Sequence, residues 1–100
     1  MALIRVTATQ LRTGADELEA LNQQFRNAIN QLEAQEGTLN GMWDGEANNT
    51  FHTAFNNDKI QMTNFYNAIE QYVQKLNEIA ARYSQAEAQN AEIASKRNYQ

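Results

Sequence analysis

The sequence predicts an all-α protein: an antiparallel hairpin of two long amphipathic helices that dimerises into a four-helix bundle. Three observations carry this. The 100-residue chain has no proline and only four glycines, and Ala, Leu, Gln, Glu and Asn fill much of the rest, a composition that favours helix. Apolar residues recur at three- and four-residue steps in two separate stretches, which is the period of one helix face. Between the stretches lies Gly41-Met42-Trp43-Asp44-Gly45, a short connection that forces the two helices to be antiparallel neighbours.

Helix 1 is read from Ile4, Leu11, Leu18, Phe25, Leu32 and Leu39, spaced by sevens, with Ala15, Leu21, Ala28 and Ile29 filling the offsets between them. Such a stripe has coiled-coil character. Thr7 followed by Gln10 fits a capping box, so the helix starts near Ala8. Gly37 weakens the last turns, and Gly41 can take the left-handed conformation that closes a helix. The expected bounds are about 8–40, roughly 50 Å of helix at about 1.5 Å per residue, followed by a turn over 41–46.

Helix 2 is read from Phe51, Phe55, Met62, Phe65, Ile69, Tyr72, Leu76, Ile79, Tyr83 and Ala86, broken only at Asp58. Its expected bounds are about 47–88, with a flexible tail over 89–100 where apolar content drops. Tyr66, Val73 and Ala80 lie one position beside this seam, so the apolar face is wider than a two-helix contact requires. The expected core of hairpin and dimer comprises Leu11, Leu18, Leu21, Phe25, Ile29, Leu32 and Leu39 from helix 1, with Phe55, Met62, Phe65, Ile69, Tyr72, Leu76 and Ile79 from helix 2. A lone two-helix seam is marginal against chain entropy. A second hairpin would cover the surplus face.

Several function classes are excluded. A net charge of −4 offers no basic footprint for nucleic acid. Without cysteine there is no disulfide framework, thiol nucleophile or thiolate metal site. Met1-Ala2-Leu3-Ile4-Arg5-Val6 is too short an apolar run for a signal peptide and has no cleavage pattern, and no run approaches the roughly 20 apolar residues of a spanning helix. The carboxylates are scattered over polar positions, and His52, the only histidine, has no clustered partners in sequence for a metal site or a triad. Ser84 and Ser95 sit in no nucleophile elbow, and no glycine-rich phosphate loop is present. The expectation is a protein with no catalytic residues, no metal, no cofactor and no small-molecule substrate. Its polar faces carry Gln, Asn and Glu where a membrane-surface helix would carry Lys and Arg.

The connection is the exception to this blandness. Trp43 can plug the hairpin end, Gly45 can supply a positive φ, and Asp44 can place an acceptor at the start of helix 2. A lone tryptophan at a tip also suits a partner's pocket. Both roles can hold together.

With these residues in view, the chain resembles the WXG family of hundred-residue secreted proteins related to the early secreted antigenic target. The length, the two amphipathic helices, Trp43-x-Gly45 in the central turn and Tyr-x-x-x-Glu from Tyr83 to Glu87 match together over the whole chain. The last pattern also occurs from Tyr66 to Glu70, and position near the end of helix 2 selects Tyr83 and Glu87. The resemblance implies export by the type VII (Esx) secretion system of Gram-positive bacteria and actinobacteria, as a folded dimer without a cleaved signal. It further implies that Trp43 and Gly45 of one subunit lie beside Tyr83 and Glu87 of an antiparallel partner, a composite signal read by a secretion ATPase. Both motifs in one chain favour a homodimer over pairing with a sibling WXG protein. Two other readings fit the same stripes: an intracellular helical adaptor or structural coiled coil, and a membrane-active secreted effector.

Overall fold

The computed structural model describes residues 7–97. They form two helices, α1 at Ala8–Met42 and α2 at Glu46–Arg97. Helix α1 begins with the reciprocal bonds that the Thr7–Gln10 spacing requires. Thr7 Oγ1 accepts the Gln10 N–H at 3.1 Å, and the Thr7 N–H donates to Gln10 Oε1 at 3.0 Å. Two donors that no helical carbonyl can reach are thereby satisfied. Ile4, the first member of the expected stripe, lies outside the described residues.

The connection is shorter than the expected 41–46. Gly41 stays helical and α1 runs on to Met42. Among the described residues Gly45 alone has a positive φ, +114°. The Gly45 carbonyl accepts the Asn49 N–H at 3.2 Å, so Gly45 holds the cap position where Asp44 was expected to act. One permissive residue is enough to reverse the chain.

At its other end α2 passes the expected limit near residue 88 and stays helical to Arg97. No glycine or proline follows Gly45, and the alanines, glutamates and glutamines after Tyr83 are strong helix formers. Nothing in the local sequence stops the helix. Its side chains from Gln85 to Ile93 are exposed, and residues 98–100 of the expected tail lie outside the described residues.

The chain forms two compact units, Glu19–Glu70 and the described parts of Met1–Leu18 with Gln71–Gln100. In the first, Asn22 pairs with Tyr66, Phe25 with Phe65, Glu33 with Lys59, Glu36 with His52 and Asn40 with Asn48. Partner numbers fall on α2 as they rise on α1, so the segments are antiparallel. Ile29 and Tyr66 are buried here, and the Arg26 guanidinium lies 5.0 Å from the centre of the Tyr66 ring. Asn22, 1% exposed, donates through Nδ2 to the Tyr66 carbonyl at 3.1 Å. A shifted register would bury this amide unpaired, at a cost of about 1–3 kcal/mol, so Asn22 pins the alignment.

In the second unit the buried apolar residues are Ala8 and Ala15 of α1 with Val73 and Ala80 of α2. Small side chains at these positions let two backbones approach closely.

The buried line thus differs from the expected seam. On α1 it follows Ala8, Ala15, Asn22, Ile29 and Glu36 and on α2 Tyr66, Val73 and Ala80, both at heptad spacing. Of the expected core of hairpin and dimer, Ile29 is the member buried within the single chain. Leu11, Leu18, Phe25, Phe55, Met62, Ile69 and Leu76 are half-buried, and Leu21, Leu32, Leu39, Phe65, Tyr72 and Ile79 are exposed. Ala8, Ala15, Val73 and Ala80 occupy this line in one unit and Asn22, Ile29, Glu36 and Tyr66 in the other, and the bulky residues flank it.

The glycines give a paired prediction. A Cβ at Gly37 meets nothing within 4 Å, so Gly37→Ala should stabilise α1 by about 0.5–1 kcal/mol by restricting the unfolded chain. Gly45→Ala forces a side chain into φ +114° and should cost about 1–3 kcal/mol. Urea denaturation of both variants checks this, and equal midpoints would contradict the assigned turn.

Candidate recognition site

The turn presents Trp43 partly to solvent, at 39% exposure. Its ring centre lies 5.8 Å from that of Phe51 with the planes tilted by 43°. Leu39, Met42 and Phe51 in the same unit are exposed as well. Trp43 therefore rests against Phe51 of α2 while part of its surface stays open, which suits a group that must be both held and read.

Behind the turn the helices are joined by polar pairs. The buried Glu36 carboxylate accepts from His52 Nδ1, and Asn56 Nδ2 donates to His52 Nε2 at 3.2 Å. Both ring nitrogens of His52 are thus engaged, one by each helix. One pair closer to the turn, Asn48 Nδ2 donates to Asn40 Oδ1 at 2.9 Å. Sequence reasoning gave His52 no role. The available signal was phase: Glu36 stands one heptad beyond Ile29 on the buried line, and His52 two heptads before Tyr66.

Further along this unit, Gln23 Nε2 reaches Glu19 Oε1 at 2.8 Å, the Tyr66 hydroxyl at 3.3 Å and Glu70 Oε1 at 3.4 Å. The Tyr66 hydroxyl, then Glu19, Asn22 and the Arg26 charge, hold the Glu70 carboxyl below its ordinary value, against partial desolvation. A depressed carboxylate contributes stability above the ordinary glutamate range and loses it on acidification through the lowered value. This explains the second Tyr-x-x-x-Glu pattern: Tyr66 and Glu70 are spent on the hairpin itself.

The pattern near the end of α2 is placed differently. Tyr83 is 45% exposed. Glu87, one turn later on the same face, accepts the Ala8 N–H through Oε1 at 3.2 Å. Trp43 and Gly45 belong to the unit Glu19–Glu70, whereas Tyr83 and Glu87 belong to the other.

A groove of about 240 Å³ between the helices is lined by Arg26, Ile29, Asn30, Glu33, Lys59, Thr63 and Tyr66. The Lys59 ammonium in it is neutralised by Glu33 at 2.7 Å. Among the described residues no three His, Cys, Asp or Glu side chains group so as to hold a metal ion.

Comparison with known proteins agrees with this architecture. The family model for WXG100, proteins of 100 residues with WXG, matches residues 3–88. An ESAT-6-like protein of Streptococcus agalactiae serotype V is 30% identical over 96 residues, spanning 96% of this chain and 97% of the relative. Among solved structures, the wild-type secreted protein EsxB of Bacillus anthracis superposes with a TM-score of 0.75 at 26% identity, covering 84% of this chain and 97% of that one. Its selenomethionine form gives 0.76 at 25% identity, covering 87% and 99%.

Proposed function

The chain belongs to the WXG100 family, and from that membership we propose that it is a small protein secreted without a cleaved signal peptide by the type VII (Esx) system of a Gram-positive bacterium or actinobacterium. It acts through protein–protein binding, as an export substrate and as a co-export partner. The observation that carries this reading is Trp43, the residue that names the family, held in a three-residue turn and left 39% exposed. A tryptophan needed only as a hairpin plug would be covered by its own chain.

The exposed bulky residues supply the binding surfaces. Leu21, Leu32, Leu39 and Phe65 stand exposed in one unit, and Tyr72, Ile79 and Tyr83 in the other. We assign them to a homodimer forming a four-helix bundle, with a sibling WXG protein as the other fitting partner. In that dimer Trp43 and Gly45 meet the partner subunit's helix end, and Tyr83 with its neighbours contacts the secretion ATPase. No described helix is long and apolar enough to cross a membrane.

Export tests the reading directly. Wild type should appear in culture supernatant from intact cells, while Trp43→Ala and Tyr83→Ala should each lower the exported fraction about tenfold or more at unchanged cellular level, as loss of a binding anchor does. Wild type confined to the cells would defeat the secretion assignment. Normal export of Tyr83→Ala would remove Tyr83 from the signal.

A further inference from the structure

Ala8 opens α1, so its N–H belongs to the first-turn donors that the helix cannot satisfy from its own carbonyls. The residue is 4% exposed, and water has poor access to it. The capping box does not serve this donor, because Thr7 Oγ1 is used on Gln10 and Gln10 Oε1 on Thr7. What serves it is a carboxylate 79 residues away in sequence, Glu87 Oε1 at 3.2 Å. A negative group there also meets the positive end of the α1 dipole. Ala8 and Glu87 lie in one compact unit with Ala15, Val73 and Ala80, the buried residues that bring the two helix segments together.

We propose that Glu87 is a positioning residue: its carboxylate latches the C-terminal part of α2 to the start of α1, and Tyr83 is thereby presented from an anchored helix. This rests on the reading of Tyr83 as part of the export signal, and it changes the part assigned to its companion. Tyr83 leaves nearly half its surface open for a partner, while the Glu87 carboxylate is already committed within its own chain. Recognition then falls on Tyr83, and Glu87 sets the geometry in which it is met.

The latch is read by amide exchange at Ala8 in the purified full chain, followed by NMR, alongside supernatant blots of the same variants. Glu87→Ala should speed Ala8 exchange about fivefold, the equilibrium equivalent of one ordinary hydrogen bond, and lower export. Glu87→Gln keeps an oxygen acceptor on a side chain of the same length, so it should hold Ala8 exchange within about twofold of wild type and restore export. Unchanged Ala8 exchange in Glu87→Ala would overturn the latch. Glu87→Gln with Ala8 protected but export lost would show that the charge itself is read, and would overturn the positioning role. Failure of wild type to be exported strikes the secretion reading alone, since the exchange measurement decides the latch without it.

Discussion

Tyr72→Glu combined with Ile79→Glu is expected to leave the protein monomeric at micromolar concentration, where the proposed wild-type dimer should sediment at twice the 11.4 kDa chain mass. Tyr72 is 62% and Ile79 37% exposed, so both leave apolar surface that their own chain does not cover. Because a symmetric dimer covers the remaining surface of both residues in both copies, together they contribute about as much as fully burying two side chains, at about 1.5–3 kcal/mol each. Carboxylates in their place must be buried unpaired or keep the surface wet. A combined loss on the order of 4 kcal/mol raises Kd about a thousandfold. Glu78, on the polar side of the same turn, provides the control, and Glu78→Gln should sediment as wild type. A double variant that still sediments as a dimer would place the interface elsewhere.

The second large effect is expected inside the chain. Ala80 has 0% of its surface exposed, as does Ala15 in the same unit. Leucine at Ala80 adds three carbons at a position that already has no exposed surface, and such overpacking costs about 1–3 kcal/mol. For a chain of this size a loss of about 2 kcal/mol lowers the melting temperature by on the order of 10 °C. Ala81→Leu, one residue on and exposed, should melt within a few degrees of wild type. Equal melting of the two variants would contradict the placement of alanine at the seam.

These effects separate two roles that one apolar stripe carries in the sequence. Heptad spacing of Leu11, Leu18, Phe25 and Leu32 made helix 1 legible, and the Thr7–Gln10 spacing made its first residue legible, because capping and periodicity are local properties. The turn was legible in position and less so in length. Gly41 and Gly45 look alike to a reader of propensities, and only the backbone path shows that Gly45 alone takes a positive φ.

Depth within the stripe was harder to read. The sequence placed Leu32, Leu39, Phe65 and Tyr72 in one core of hairpin and dimer without dividing the two; within the single chain all four are exposed, while Ala15, Asn22 and Ala80 are buried. Which line of a wide apolar face points inward depends on how closely two backbones approach, a property of the pair of helices. The same holds for the polar contacts. Glu36 with His52, Asn22 with the Tyr66 carbonyl and Glu87 with the Ala8 amide join residues whose spacing in sequence carries no periodic signature.

Of the recognition residues, Trp43 at the midpoint and Tyr83 near the end of the second stripe stood out in the sequence, since motif and helix phase need only one chain read in one direction. Glu87 was named there as well, as Tyr83's companion in the export signal that the resemblance implies. Folding turns it onto Ala8, because the unpaired amide that attracts it lies at the far end of the chain and comes within reach only when α1 and α2 pack side by side.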